Sequence, residues 1–346
     1  MKIVKTALIG LGRIGWDYHL PEIMRHSGFN IVSVADTSEE RLQEARERYC
    51  VSGYADYLEM YEKEELDLVV IASPTLFHLE HAVNAMERGI DVFLDKPMAS
   101  DLCEADDIIN VMRKTGRKLM VYQPLRMAAE FILLQDIIKQ SLIGPIYMIK
   151  SARTNYVRRN DWQAMKKNGG GMLNNFGAHQ IDQMLCLAGS PIKRIACHLQ
   201  KIASLGDADD VVKAIMETEN GIVLDLDINM AAAQNIPRWM VFGSRGAVTL
   251  KEVDGREFFH IRYFNERELG ELALQNQLAA NERAYGNFEE IQWYEEEIPI
   301  PATECDGFYD KCYDYYALNM EPFIHISETR ETMRIIDECG KNAGWY

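Results

Sequence analysis

The sequence is poor in the features that mark membrane, secreted and metal-binding proteins. No apolar run approaches the roughly 18 residues that a membrane-spanning helix needs, and no charged-then-apolar leader precedes the first apolar segment. The seven cysteines form no CxxC pair and no dense framework, which is typical of reduced thiols in a cytoplasmic protein. There is no HExxH motif either, so we expect no metal centre.

Basic residues are also few: 37 Lys and Arg stand against 53 Asp and Glu, for a net charge of −16. Because a surface this acidic repels phosphate backbones, we expect no nucleic-acid partner. Two short basic pairs, Arg158-Arg159 and Lys166-Lys167, are either solvated loop residues or groups that face a substrate. The sequence leaves both readings open.

The chain of 346 residues is long enough for two domains. Apolar strands alternate with helical stretches over residues 1–122, and the run Leu66–Ala72 is apolar throughout, as in a strand buried on both faces. This alternation predicts an α/β fold whose first domain is a doubly wound parallel sheet of the Rossmann type.

After residue 122 the pattern changes to successive strands, and Asn220-Gly221 between two of them predicts a hairpin. We therefore expect residues 123–346 to form an α+β domain with a large open, mainly antiparallel sheet. Residues 266–300 are polar and hard to interpret. Closing helices are expected at about 307–319 and 328–341, with Ser327 as an N-cap, and the last helix could pack back on the first domain.

The string GLGRIG at residues 10–15 fits G-x-G-x-x-G, follows a strand and opens a helix. Gly10 permits the tight turn, Gly12 lets the backbone approach a pyrophosphate, and Gly15 lets the helix and strand pack closely. Arg13 and Ile14 belong to the same turn, where free N–H groups of the helix N-terminus face the pyrophosphate. The string therefore predicts a dinucleotide site.

Asp36 ends the second predicted strand, 21 residues after Gly15. A carboxylate there accepts hydrogen bonds from ribose hydroxyls and repels a 2′-phosphate, so we expect NAD as the cofactor. NADP is less favoured but stays open, because Arg41 lies one helical turn away and could move in.

Strand ends at this edge of the sheet face the ligand crevice. Ser73, Pro74, Thr75 and His78 follow the third predicted strand and could contact the nicotinamide ribose and the diphosphate, although an ordinary strand-to-helix turn is the alternative. Lys96 follows the fourth strand in the string DKP, and its ammonium could polarise a substrate oxygen.

The segment GGGMLNNFGAHQID at residues 169–182 offers a second set of reactive groups. Three glycines precede a helix-like stretch on which Asn175, His179 and Asp182 are spaced by four and three residues. This spacing predicts that an amide, an imidazole and a carboxylate share one helix face, which is suited to proton transfer.

Four separated motifs, GLGRIG, SPTLFH, DKP and GGG-x-L-x-N-x-G-x-H-x-x-D, resemble those of the Gfo/Idh/MocA family of oxidoreductases. The resemblance implies that Lys96 bonds the reacting hydroxyl and touches the cofactor, that Lys96-Pro97 is cis, and that His179 is the general base. It also implies that Asp182 lies behind the site or contacts substrate, and that the chain forms a homodimer or homotetramer through the second sheet.

Two departures from the family pattern stand out. Asp95 replaces the usual glutamate and keeps its charge. Many members carry an aspartate where this chain has Asn175, and a neutral amide cannot raise the basicity of His179 as a carboxylate would. We keep Asn175 as a catalytic candidate, able to orient the imidazole or a substrate hydroxyl.

The predicted substrate residues lie around the second domain's entry loop and just past the fifth strand. They are Tyr122, Gln123, Arg153, Tyr156, Arg159 and Trp162, together with Asp182. The aromatic members could stack on a sugar ring, and the polar members could read hydroxyls or an anionic group. About half of these residues could instead only anchor the loop.

These features favour an NAD-dependent dehydrogenase that moves a hydride between a ring secondary alcohol and the nicotinamide. The expected substrate is a sugar, an inositol, a glycoside or a nucleotide sugar. Two alternatives remain at this stage: an NAD-using glycoside hydrolase or lyase with transient oxidation at C3, and a non-catalytic NAD-binding protein.

Overall fold

A computed structural model describes residues 2–274, 289–302 and 307–345. It confirms an α/β fold with a parallel sheet followed by a mainly antiparallel one. The strands are β1 (Val4–Ile9), β2 (Phe29–Ala35), β3 (Ser52–Tyr54), β4 (Leu68–Ile71), β5 (Asp91–Leu94), β6 (Leu119–Val121), β7 (Ile146–Thr154), β8 (Ile192–Gln200), β9 (Val211–Thr218), β10 (Val223–Asn229), β11 (Trp239–Gly243), β12 (Gly246–Val253), β13 (Arg256–Tyr263) and β14 (Tyr294–Pro299). The helices are α1 (Leu20–Arg25), α2 (Glu39–Tyr49), α3 (Tyr57–Lys63), α4 (His78–Glu87), α5 (Leu102–Thr115), α6 (Ala129–Lys139), α7 (Ala178–Ala188), α8 (Phe308–Leu318) and α9 (Ile326–Asn342).

The first sheet has the strand order β3-β2-β1-β4-β5-β6, and all of its pairs are parallel. All four residues of β4 are buried because helices cover both faces of the sheet, as the unbroken apolar run predicts. The order reverses between β1 and β4, so the carboxyl ends of these two strands open a crevice for a ligand.

Three elements escaped the sequence analysis. β3 has only three residues, and α3 is short and rich in charged residues, although Asp56 caps it by accepting a hydrogen bond from the Leu58 N–H at 2.8 Å. β14 lies within the segment 266–300 that was hard to interpret, because exposed side chains, three of them Glu, occupy most of it. Residues 275–288 of that segment, and Cys305, lie outside the described residues.

The second sheet has the order β14-β13-β12-β11-β7-β10-β9-β8. The predicted Asn220-Gly221 hairpin joins β9 to β10, with Gly221 at φ +86°. One pair breaks the antiparallel pattern, since β7 runs parallel to β10. This pair is possible because β7 and β10 are separated in the chain by α7 and the β8–β9 pair, a long enough connection for a crossover.

The closing helices contact the first sheet as well as the second. Tyr309 and Phe308 of α8 pack into the aromatic core around Phe93 of β5. α9 contacts α5 of the parallel domain and also α7 and β8. The predicted N-cap Ser327 is wrong: His325 caps α9 in a capping box with Glu328, so the helix begins at Ile326.

Within the described ranges, no helix is both long enough and apolar enough to cross a membrane.

Candidate functional site

A crevice of about 880 Å³ lies at the carboxyl ends of the central parallel strands. Its walls come from the glycine turn, from the segments after β2, β4 and β5, and from the loop that precedes α7. The sequence-predicted residues that line it are Gly10, Gly12, Arg13, Ile14, Asp36, Ser73, Pro74, Thr75, Lys96, Arg159, Trp162 and Asn175. Motifs from both domains thus meet at one cavity.

The three glycines of the turn meet different surroundings. A Cβ on Gly10, which has φ +93°, would lie 2.7 Å from the Ala72 carbonyl oxygen, and a Cβ on Gly15 would lie 1.9 Å from the Gly10 carbonyl oxygen. A Cβ on Gly12 would meet no atom within 4 Å, because this glycine faces the crevice. The turn is therefore closely packed on one side and leaves room on the other for a pyrophosphate.

Asp36 is held in place by the backbone. Its Oδ2 accepts a hydrogen bond from the Leu11 N–H at 2.7 Å, and its Oδ1 accepts one from the Ser38 N–H at 2.9 Å. The Arg41 guanidinium, which lines the crevice, lies 3.5 Å from Asp36 Oδ2. The carboxylate and the arginine thus stand together where the adenosine ribose of a dinucleotide would lie.

His78 does not face the crevice, contrary to the sequence prediction. It is buried, its Nδ1 is 3.0 Å from the Pro97 carbonyl oxygen and its Nε2 is 2.9 Å from the Ser73 carbonyl oxygen. It therefore links the two strand-end turns instead of touching a ligand. His81, one turn further along α4, lines the crevice in its place and lies 3.0 Å from Ser73 Oγ through its Nδ1.

The Lys96-Pro97 peptide is cis, as the family resemblance implies. The Lys96 ammonium donates to Asn175 Oδ1 at 3.0 Å and to the Asn175 backbone oxygen at 3.1 Å. Burial is the largest cause that lowers the pKa of Lys96, and nearby arginines add to it. Burial also raises the pKa of Asp95 to about 6, while its Oδ1 accepts a hydrogen bond from the Lys96 N–H at 2.8 Å.

His179 takes its partner from a distant part of the chain. Its Nδ1 lies 3.2 Å from Gln123 Oε1, and Gln123 Nε2 donates to the Ala178 carbonyl oxygen at 3.3 Å. Because that second bond orients the amide, an oxygen that can only accept faces the imidazole, so Nδ1 carries the proton and Nε2 keeps its lone pair. Burial first, and then the positive charges of Lys96 and Arg153, lower the pKa of His179 well below its usual value.

Asn175, His179 and Asp182 do not share one face. Leu173–Gly177 is π-helical, and α-helical geometry starts only at Ala178, so the four-residue spacing does not place Asn175 above His179. Asn175 lines the crevice beside Lys96, while His179 is partly buried one helical turn further along and outside the lining of the crevice.

Two predicted substrate residues are structural in this fold. Asp182 is 1% exposed, and its carboxylate accepts two hydrogen bonds from the Arg126 guanidinium, both of 2.7 Å. Tyr122 is buried and packs edge-on against Phe308 with a centroid distance of 4.9 Å. Neither side chain lines the crevice, because Asp182 pairs with a buried arginine and Tyr122 packs in an aromatic core.

The loop after β7 divides its residues between two cavities. Trp162 is 41% exposed and lines the nucleotide crevice, and Arg159, paired with Asp161 at 3.2 Å, lines both this crevice and a second cavity on the mixed sheet. Arg153 lines only the second cavity. Tyr156 is 58% exposed and lines neither.

Asp209 supports the glycine segment and was missed by the sequence analysis. Its Oδ2 accepts a hydrogen bond from the Leu173 N–H at 2.8 Å, and its backbone oxygen accepts one from the Met172 N–H at 3.0 Å. Gly171 has φ +113°, and a Cβ there would lie 2.1 Å from Asp209 Oδ1. Burial raises the pKa of Asp209 to about 6. No local sequence signal connects this aspartate to the glycines 38 residues earlier.

A dinucleotide crevice that ends beside a partly buried lysine and a neutral histidine is the arrangement of a nucleotide-dependent oxidoreductase. Residues 4–123 match the family described as oxidoreductase family, NAD-binding Rossmann fold, and residues 131–249 match the Gfo/Idh/MocA C-terminal domain. The chain belongs to the Gfo/Idh/MocA family, and it is an oxidoreductase of the dehydrogenase type that acts on CH–OH groups.

Curated relatives cover most of the chain at low identity. The D-glucoside 3-dehydrogenase of Escherichia coli is 24% identical over 328 residues, which cover 88% of this chain and 92% of that protein. The 2,7-anhydro-N-acetylneuraminate hydratase of Mediterraneibacter gnavus is 25% identical over 285 residues, 78% of this chain and 75% of that protein.

Among solved structures, the WlbA dehydrogenase of Bordetella pertussis, in complex with NADH and UDP-GlcNAcA, superposes with a TM-score of 0.79. The match covers 99% of this chain and 97% of that chain at 20% identity, and it shows a shared fold.

Proposed function

We propose that this protein is an NAD-dependent dehydrogenase for a ring secondary alcohol of a sugar, inositol, glycoside or nucleotide sugar. The observation that carries the proposal is the pair of hydrogen-bonded units beside the crevice: Lys96 with Asn175, and His179 with Gln123. They bring a partly buried ammonium and an imidazole with a free Nε2 to the carboxyl end of the parallel sheet, where the dinucleotide crevice opens.

In this proposal the substrate hydroxyl lies between the Lys96 ammonium and His179 Nε2. The glycine turn at residues 10–15 and Asp36 would hold the dinucleotide, which would supply the hydride acceptor for the carbinol carbon. His179 takes the hydroxyl proton, which its tautomer allows because Gln123 already accepts the Nδ1 proton. Lys96 donates a hydrogen bond to the substrate oxygen, and Asn175 positions that ammonium through two acceptor contacts.

The residues of the nucleotide crevice support NAD as the preferred cofactor. Asp36 has only 7% of its side chain exposed and is anchored by two backbone N–H groups, so its charge faces the ribose in a set position. A 2′-phosphate would meet that carboxylate at close range. Arg41 is already engaged with Asp36, which leaves less of its charge for a phosphate.

We retain as a further proposal that two or four copies assemble through the mixed sheet. Sedimentation velocity on the purified full chain tests it, and a single species with the mass of a monomer at micromolar concentration would contradict it.

The decisive experiment is a panel of sugars, inositols, glycosides and nucleotide sugars with NAD or NADP, followed by absorbance of the reduced cofactor. We expect NADH to accumulate with at least one ring alcohol. Cleavage of a glycoside without net NADH would assign the hydrolase-like cycle instead, and a nucleotide-binding protein without any turnover would contradict both.

The His179→Ala variant tests the assigned base. We expect turnover to fall by about 10²–10⁴-fold, the usual contribution of a positioned acid–base group, while NAD binding measured by calorimetry stays unchanged. Turnover equal to that of the unmodified protein would remove His179 from the mechanism.

A further inference from the structure

A second cavity of about 750 Å³ lies on the mixed sheet, next to the nucleotide crevice. Arg159 lines both cavities, and the π-helical turn separates them, with Asn175 on the crevice side and Phe176 on the other side. The two cavities therefore flank the segment that leads into His179. The part of a substrate that lies in the second cavity would extend away from the cofactor.

The lining of this second cavity is basic although the chain carries a net charge of −16. Four basic and two acidic side chains contribute to it: Arg153, Arg159, Arg238 and Lys251 against Glu252 and Glu257. A positive cavity on an acidic protein concentrates anions and raises their rate of entry.

The arginines of this cavity differ in whether their charge is compensated. Arg238 bonds Glu257 at 3.0 Å and also pairs with Glu130, and Arg159 pairs with Asp161. Arg153 stacks its guanidinium over the Phe176 ring at 3.9 Å from the centroid. Among the residues that the structure describes, no carboxylate forms an ion pair with Arg153, so its five donors are available to a ligand.

Arg153 is close enough to the reacting groups to matter electrostatically. The Arg153 side chain is exposed, but the surrounding protein still removes part of the water from its guanidinium. This desolvation, and secondly the positive charge of Arg238, lower the pKa of Arg153. Its positive charge in turn lowers the pKa of both Lys96 and His179. An anion bound at Arg153 would compensate a cluster of cations that now repel one another and would offset the desolvation cost of the guanidinium.

The geometry points to an anionic substrate: a sugar bearing a carboxylate or a phosphate, which the Arg153 guanidinium holds while the reacting ring hydroxyl lies between Lys96 and His179. This inference rests on the proposed dehydrogenase function and adds the substrate class. Guanidinium donors fit both anions in a bidentate manner, so the two are distinguished by experiment.

The test uses matched sets in which only the charged group differs, such as glucose, glucuronate and glucose 6-phosphate, and the galactose counterparts. We expect kcat/KM for one anionic member to exceed that of the neutral sugar by about tenfold or more. Arg153→Gln should lower kcat/KM for that anion by about 10–100-fold more than it lowers kcat/KM for the neutral sugar, because the lost charge beside Lys96 and His179 affects both sugars alike. Arg153→Lys should recover part of the loss.

Arg158→Gln is the matched control, because Arg158 is an exposed arginine near the same loop that lines neither cavity. It should leave both members of each set within about twofold of the unmodified protein. Preference for the neutral sugar, or an equal loss for Arg153→Gln and Arg158→Gln, would overturn the anionic substrate.

Calorimetry with the same sets separates this inference from the proposed function. Selective binding of an anionic sugar that Arg153→Gln abolishes, without any NADH formation, would support the anion site and contradict the dehydrogenase. Oxidation of neutral sugars with no preference for an anionic member, and with the same change in kcat/KM for neutral and anionic sugars in Arg153→Gln, would support the dehydrogenase and contradict the anion site. Failure of every anionic member to bind also counts against the anion site.

Discussion

Gln123 is the hydrogen-bond partner of His179, and replacing it with glutamate tests whether a charge at this position changes the basicity of the imidazole. Gln123 is 2% exposed, and its Oε1 faces His179 Nδ1 at 3.2 Å. The Gln123→Glu change keeps the size of the side chain and places a carboxylate beside the imidazole. A nearby negative charge stabilises the imidazolium, so the pKa of His179 should rise.

The size of the effect follows from Coulomb's law. Two unit charges about 4 Å apart at an effective dielectric constant of ~20 interact by about 4 kcal/mol. The new carboxylate would itself be desolvated at this buried position, which offsets part of that interaction. We expect a net rise of about one to two units in the pKa of His179, equivalent to ~1.4–2.7 kcal/mol.

In the proposed mechanism His179 is the general base, and this role sets the sign of the effect on catalysis. The unprotonated imidazole is active, so kcat/KM is lost as the pH falls through the pKa of His179. Because burial and two cations lower that pKa, the loss in the unmodified protein should occur below pH 6.5. Gln123→Glu should move the loss to higher pH, so that kcat/KM on the acid limb of the profile falls about tenfold or more.

The assay is initial NADH formation from pH 5 to 9 with the best substrate of the panel. Gln123→Met serves as the control, since it removes the acceptor without adding charge and should lower activity without moving the acid limb to higher pH. Superposable pH profiles for Gln123→Glu and the unmodified protein would refute the role of Gln123 as the partner that tunes His179.

Three further predictions follow from the crevice and its support. Replacing Asp36 with alanine should lower the ratio of kcat/KM with NAD to kcat/KM with NADP by about 10–100-fold, since a charged hydrogen-bond acceptor is lost. An additional Arg41→Ala change should remove any gain with NADP. An unchanged ratio would contradict the role of this carboxylate. Gly12→Ala should weaken NAD binding measured by calorimetry, while the free energy of unfolding in urea stays within about 0.5 kcal/mol of the unmodified protein. Gly15→Ala should destabilise the protein by ~1–3 kcal/mol, because its Cβ would overlap a backbone oxygen. Equal effects of the two changes on stability would contradict the packing described. Asp182→Asn should lower the free energy of unfolding by about 3 kcal/mol, because the buried Arg126 loses its charged partner. The KM of the folded enzyme should stay unchanged. A raised KM without destabilisation would restore Asp182 as a substrate residue.

Local sequence patterns were sufficient for the nucleotide end of the site. The glycine turn at residues 10–15, the carboxylate of Asp36 and the position of Lys96 all lie where the sequence places them. Each depends on a short segment at the end of a parallel strand, and the carboxyl ends of such strands meet at the same edge of a sheet. Position within one strand–turn–helix unit is therefore enough to locate these residues.

The surroundings of His179 depended on the tertiary structure. Spacing along one helix suggested that Asn175 and Asp182 accompany it, but a π-helical turn directs Asn175 to Lys96, and a buried arginine from another segment takes Asp182. The partner of His179 is Gln123, 56 residues earlier in the chain.

The sequence by itself determined the family, the dinucleotide crevice and the candidate residues Lys96 and His179, because these rest on local backbone geometry. Only the tertiary structure decided which side chain orients the histidine, that Asp209 holds the glycine segment, and that Arg153 forms no ion pair with any carboxylate of the described residues. Hydrogen bonds and ion pairs between distant segments arise from packing, and the spacing of residues along the chain carries no record of them.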